Sequence, residues 1–187
     1  ITLGLRWFDE TIAAKTQNFG FGRLSGFSSA GPIMTEVNDT GVIPKLGISY
    51  FLDDDTLLYA LASKGFRSSV INPARDWIGK DAAESDNLWN YELGFKTVLA
   101  DGKIVFNGTL FYIDWSDIQL RTFDPVAVRS RIQNVAKARI FGLETEIRYQ
   151  ATENLHLSMN YSYIDASMAE DFIDGQSGAV IAEEGSR

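Results

Sequence analysis

The sequence contains no cysteine, one histidine and four prolines. Without thiols there is no disulfide scaffold, no thiolate metal site and no cysteine nucleophile, and one histidine leaves no His-rich metal cluster. Long hydrophobic runs are missing too. The longest strictly apolar stretch, residues 57–62, falls far short of the roughly 18 or more residues that a membrane-spanning helix needs. A helical membrane protein is therefore excluded, but a barrel is not, because its strands need only about 9–11 residues each and show alternation instead of continuous hydrophobicity. Positive charge is scarce: 17 Lys and Arg against 25 Asp and Glu give a net charge of −8. That balance repels a phosphate backbone, and no basic cluster offsets it, so nucleic acid is not an expected partner. The chain opens on Ile1 with no basic stretch followed by an apolar one, and it is expected to be part of a longer gene product.

What is present is greasy surface, 45% of 187 residues, enough for one ordinary domain and too much for a disordered chain. Its arrangement has period two. Leu155, Leu157, Met159, Tyr161 and Tyr163 alternate with His156, Ser158, Asn160 and Ser162, which is a strand with one apolar face. Residues 138–150 set Phe141, Leu143, Ile147 and Tyr149 against Gly142, Glu144, Glu146 and Arg148, so the opposite face is charged. Residues 1–7, 45–50 and 87–98 follow the same rule. Residues 56–67 and 103–120 carry apolar residues on both faces and are assigned as strands from their β-branched and aromatic content.

The connections alternate in length. Residues 52–55, 100–102 and 151–154 are tight turns built from Asp, Asn and Gly, whereas about 10–40, 68–86, 122–133 and 168 onward are long and rich in Gly, Ser, Pro and charge. Short turns on one rim and long loops on the other are the signature of a transmembrane β-barrel. With the long-loop rim taken as outside, Trp7, Trp89, Tyr91, Tyr112, Trp115, Tyr161 and Tyr163 fall toward the outer ends of their strands and Tyr50, Phe51 and Tyr149 toward the other end. That is the expected placing of membrane-interface anchors. Because every backbone polar group in lipid must be paired, such strands have to close into a ring, and the rest of the ring is expected outside these seven.

At the level of motifs, PKLGISYFLDDDTLLYALASKGFRSSVINP (44–73), NYELGFKTVLADGKIVFNGTLFYIDWSDIQL (90–120) and NVAKARIFGLETEIRYQATENLHLSMNYSYIDA (134–166) together resemble the barrel of TonB-dependent outer-membrane receptors. The resemblance extends over most of residues 1–166 and rests on four strand patterns in order: YAxxSxGFR, NYELG, FYxDW and AKARIxGLE. It implies an all-β fold, an antiparallel up-and-down transmembrane β-barrel segment of about seven strands within a 22-stranded barrel. It also implies a plug domain inside the barrel, contact with outer-membrane lipid, energy relayed by TonB, and uptake of a scarce nutrient such as a ferric siderophore in a Gram-negative bacterium. No signal peptide, TonB box or plug precedes Ile1, and no terminal aromatic strand closes the chain at Arg187, so these residues alone are expected neither to insert nor to transport.

No catalytic constellation emerges, and no cofactor or metal site is expected. Gly20 to Gly26 misses the dinucleotide-binding glycine spacing by one residue and lies in a long loop. His156 has no second histidine, and Asp53, Asp54 and Asp55 lack calcium-loop spacing and suit a solvated turn. Three Asn-x-Ser/Thr triplets are patterns common by chance. Two sets of charges carry functional expectations under the resemblance. Glu92, Lys96, Glu144, Glu146 and Arg148 would face the lumen and its plug, or else a water-filled bore. Arg67, Arg121, Arg129, Arg131, Lys137 and Arg139 gather toward the outer strand ends, where they would bind an anionic ferric chelate, or pair with loop acids and lipopolysaccharide phosphates.

Two other readings share part of the pattern. A passive porin would show the same alternation and girdles, and a soluble extracellular glycan-binding β-sandwich would bury its apolar faces against each other.

Overall fold

The computed structural model describes residues 1–16, 33–72, 82–124, 129–173 and 180–187, and every regular element among them is a strand. In chain order these are β1 (Thr2–Thr16), β2 (Ile33–Phe51), β3 (Thr56–Arg67), β4 (Val70–Ile71), β5 (Ala82–Ala83), β6 (Asp86–Leu99), β7 (Ile104–Ser116), β8 (Gln119–Asp124), β9 (Arg129–Asn134), β10 (Ala138–Thr152), β11 (Leu155–Met168), β12 (Phe172–Ile173) and β13 (Val180–Ala182). The seven long strands form one antiparallel sheet in the order β1-β2-β3-β6-β7-β10-β11. Each is therefore bonded to the long strand next in sequence, as in an up-and-down meander. The short strands pair among themselves, β4 with β5, β8 with β9 and β12 with β13, inside or after the long connections.

Alternation in the sequence becomes two chemically distinct faces because directly opposed residues share a side of the sheet. One row reads Ala60, Leu93, Leu110, Leu143 and Tyr163 across β3, β6, β7, β10 and β11. The neighbouring row on the other face reads Ser49, Tyr59, Gly94, Thr109, Glu144 and Ser162. The apolar face is open: Leu3 is 80% exposed, Leu93 62% and Met159 56%. No second layer covers it among the described residues. The few fully buried hydrophobic residues described, Ala83, Ile118, Val135 and Phe172, all lie in or beside the long connections. A soluble sandwich would have placed its core between two such faces.

The short turns have local causes. Asp53 Oδ1 accepts from the Asp55 N–H at 3.0 Å, an Asx-type closure of the β2–β3 turn. Ala100, Asp101 and Gly102 all take positive φ (52°, 53° and 87°), a backbone path that turns β6 back into β7 within very few residues. Within the sheet, Gly94 lets the Tyr59 ring lie flat across β6, since a Cβ there would stand 2.5 Å from Tyr59 Cζ. The tyrosine reaches over it to Thr109 on β7, Oη to Oγ1 2.7 Å. Gly142 under Phe111 is a second such pair on the same face.

Three expectations from sequence are corrected. The strand expected over 103–120 ends at Ser116, because Asp117 turns into the left-handed region (φ 57°) and the chain restarts as β8. The connection expected at 122–133 contains the β8–β9 hairpin, paired from Gln119–Asn134 to Asp124–Arg129. The described residues of the loop expected over about 10–40 form a two-stranded ribbon, with β1 and β2 paired out to Thr16–Ile33. The β2–β3 ladder stops at Lys45–Ser63, next to Pro44, which has no N–H to contribute, so above that point β1 and β2 continue without β3.

Candidate functional site

The polar face of the sheet gathers charge along its middle. Lys96, Asn107, Glu146 and Asn160 form one register row, with Arg148 two residues along β10 from Glu146. Glu146 accepts from Asn107 Nδ2 at 2.9 Å and pairs with Arg148 Nε at 2.9 Å, while Glu92 accepts from Asn90 Nδ2 at 2.6 Å. Glu144 lies one row away, exposed, opposite Thr109 and Ser162. A cleft of about 410 Å³ opens beside these groups, lined in part by Asn107, Thr109, Glu144, Glu146 and Asn160. All five charges expected to share a face do share it.

The outer-end cations do not converge. Arg67 gives Nε to Asp86 Oδ2 at 3.0 Å, makes a second, shorter contact with the same oxygen, and donates to the Gln119 carbonyl at 3.1 Å. Its guanidinium also sits 5.4 Å from the Trp115 ring. Lys137 pairs with Glu170 at 2.7 Å, and that carboxylate raises the lysine above its ordinary value of 10.5 by hydrogen bond and then by charge. Arg121 and Arg131 stand on opposite faces of the β8–β9 hairpin, since Arg121 opposes Ile132 and Arg131 opposes Thr122. Arg139 opposes Asp114 on the apolar side of the sheet. Arg129 is placed as the β9 partner of Asp124, and its side chain is outside the described residues.

The aromatic anchors share one face, except for Trp115 and for Phe51, which opposes Leu57 in the row of Lys96 on the polar face. Trp7, Trp89, Tyr91, Tyr112, Tyr149, Tyr161 and Tyr163 stand on the apolar face, and at its outer end Trp89 stacks on Tyr91 at 6.0 Å and Tyr91 on Tyr112 at 6.4 Å. Trp115 differs. Opposed to Leu88 and Ala138, it stands on the polar face and packs against Ile118, Val135 and Phe172 at the base of the connections. Local alternation does not reveal this, because Trp115 lies where β7 leaves the sheet and packs on the two ends of the connection that follows, Ile118 and Val135, and on Phe172 beyond β11.

Sequence reasoning also missed the residues that tie the connections together. Asp86, only 2% exposed, accepts from Arg67 and from the Gln119 N–H at 3.0 Å. Asp39, 7% exposed, accepts from both the N–H and the Oγ of Ser69 at 2.7 Å.

One antiparallel sheet with an open apolar face, interface aromatics along its outer margin and a charged opposite face defines a membrane-wall segment built of strands. Comparison with known proteins makes the assignment specific. The family model for the TonB dependent receptor-like β-barrel matches residues 1–181, and the chain belongs to that family. It is 31% identical over 128 residues to the metal-pseudopaline receptor CntO of Pseudomonas aeruginosa, covering 68% of this chain and 17% of that one. Among solved structures it is similar to the ferric yersiniabactin uptake receptor FyuA from Yersinia pestis, with TM-score 0.69 at 22% identity over 91% of this chain and 24% of that one. The siderophore receptor PiuA from Acinetobacter baumannii matches with TM-score 0.69 at 16% identity, over 96% of this chain and 25% of that one. The chain thus spans a quarter or less of the length of these relatives. The family is one of receptors of the Gram-negative outer membrane, not of enzymes.

Proposed function

We propose that this chain is part of the barrel wall of a receptor that takes up a scarce nutrient, a ferric siderophore, with energy relayed through TonB. The observation that supports it best is the division of one uncovered sheet into a lipid-matched face and a charged face on which Glu146 is bonded to Arg148 and Asn107, in a family whose relatives are named as metal-chelate receptors. In this reading the apolar face meets lipid, with Trp7, Trp89, Tyr91, Tyr112, Tyr149, Tyr161 and Tyr163 at its interfaces. Glu92, Lys96, Glu144, Glu146 and Arg148 turn toward the bore and hold the plug by hydrogen bonds and ion pairs. Of the outer cations, Arg121 is the one best disposed to meet an anionic chelate, since it is exposed and without an ion pair among the described residues, whereas Arg67 and Lys137 already serve acids.

The test is uptake of radioiron presented as a ferric catecholate or ferric carboxylate chelate by cells carrying the full-length receptor. Accumulation that stops when tonB is deleted, or when a protonophore is added, is expected. Accumulation that continues unchanged in the tonB deletion would make the protein a passive pore.

A further inference from the structure

The outer connections are bonded to one another more extensively than the wall requires. Asp39 on the β1–β2 ribbon holds Ser69, just past β3. Asp86, at the start of β6, holds Arg67 and the Gln119 N–H, and the Gln119 side chain donates back to the carbonyls of Ser68 at 2.8 Å and Glu84 at 2.9 Å. Asn134, at the end of β9, takes the Glu84 N–H on Oδ1 and gives Nδ2 to the carbonyls of Glu84 and Asp117. Asn72 makes a two-way bond with the backbone of Ile132, 2.7 and 2.8 Å. Beyond these, Phe172 packs on Ile118 and Val135, and the Ala169 N–H reaches the Lys137 carbonyl at 2.7 Å. The links therefore run from the first outer connection to the segment that follows β11.

We infer that Asp86 and its partners join the bases of these connections into one cooperative body, so that the β8–β9 hairpin carrying Arg121 is held in place and does not move as an independent lid. The physical case is burial. Asp86 and Gln119 are 2% and 6% exposed, and neither can let go of its partners without leaving charge or amide groups unsatisfied away from water. Asn72 and Asn134 each bond both backbone groups of a facing segment or two carbonyls at once, which fixes orientation as well as distance. Loops hinged separately would instead carry solvated bases with few bonds between them. The inference goes beyond the uptake reading and is independent of the ligand.

Hydrogen–deuterium exchange on the full-length receptor in detergent micelles, with no ligand present, decides it. In Asp86→Asn the amides of Ser69, Glu84 and Ile132, none bonded to Asp86 itself, should exchange about tenfold faster or more together with Gln119, while those of Leu93 and Leu110 in the wall stay unchanged. Asn72→Ala, a milder change at a distance from Asp86, should likewise speed Gln119 as well as Ile132. If Asp86→Asn fails to give the heat-modifiable band of an assembled barrel, Asn72→Ala alone carries the test. Acceleration that spreads beyond the altered residue's own partners in either assembled variant supports the coupled body. Acceleration confined to those partners in every assembled variant overturns it. Because no ligand or energy source enters the measurement, this failure and a failure of TonB-dependent uptake are distinct results.

Discussion

The wall and its outer rim solve the burial problem in opposite ways. In the wall, Leu93, Leu110 and Met159 are 62%, 44% and 56% exposed, so the apolar face is left for the bilayer to complete. At the rim, where water replaces lipid, the chain builds a small core of its own from Ile118, Val135 and Phe172 and surrounds it with buried polar groups such as Asp86 and Gln119. Charge follows the same division. The Glu146–Arg148 pair of the wall is 38% and 60% exposed, whereas Asp86 is almost wholly removed from solvent beneath Arg67. One chain therefore carries two polarity rules, and position along each strand decides which applies.

The strongest way to break that contrast is to charge the wall. Leu93→Arg places a cation in the middle of the lipid-facing row and should cost about 2–4 kcal/mol, while Thr109→Arg, on the neighbouring row of the other face, should cost about 1 kcal/mol or less. The readout is the fraction of full-length receptor recovered as a folded, heat-modifiable band at equal expression. Equal losses from the two variants would abolish the contrast, and a larger loss for Thr109→Arg would mean that the faces have been assigned the wrong way round.

Ion pairs give the next contrast. Arg67→Ala strips a buried carboxylate of its charged partner and should cost about 2–3 kcal/mol, against less than about 1 kcal/mol for Arg148→Ala in the exposed wall pair. Denaturant titration of the assembled receptor, followed by the protection of the Gln119 amide for the first variant and of the Asn107 backbone amide for the second, separates the two. A larger effect for Arg148→Ala would show that a partner in the bore buries that pair, and would reverse the ranking.

How much of this was legible beforehand divides along the same line. A strand with lipid on one side has to alternate, so residues 155–163 and 87–98 announced β11 and β6 to within a few residues at their outer ends. The ribbon of β1 and β2 beyond Pro44 has no such need, and Thr11, Asn38 and Glu36 gave no period to read even though the strands are paired there. The rim was hidden for a different reason. Asp39 and Ser69 are 30 residues apart, Asp86 and Gln119 are 33, and Asn72 and Ile132 are 60, and nothing local marks a polar side chain as one that will be bonded across such a gap. The five charges of the polar face were readable because they sit on regular strands, while the outer cations scattered because four of the six lie outside the long strands that set a face.

A smaller and more local effect tests close packing inside the wall. Gly94→Ala drives a methyl group into the Tyr59 ring, where the nearest ring atom would be 2.5 Å away, and should cost about 1–3 kcal/mol. Adding Tyr59→Ala should recover most of that loss, although it also gives up the 2.7 Å bond to Thr109. Unfolding midpoints of the two single variants and the double variant form a cycle. Additive effects would mean that the ring moves aside freely, and that the aromatic lying across the glycine does not hold β3, β6 and β7 in register.

The smallest expected change belongs to the rim surface. Lys137 is held by Glu170, and its pKa is raised by that carboxylate above the ordinary lysine value of 10.5, so the folded form binds the proton more tightly than the unfolded chain does. The stabilisation is therefore fully present at neutral pH and is lost only as the pH climbs from the ordinary value through the raised one. Both side chains are about half exposed, so salt screens the pair and the effect is slight. Amide exchange at Ala169, whose N–H bonds the Lys137 carbonyl, should be slower in wild type than in Glu170→Gln at pH 8, after correction for intrinsic rates, and the two should converge as the pH climbs past the ordinary lysine value through the raised one. A difference that did not narrow as the pH rose would show that Glu170 holds this segment through something other than the lysine charge, and would join it to the uncharged packing of Phe172 instead.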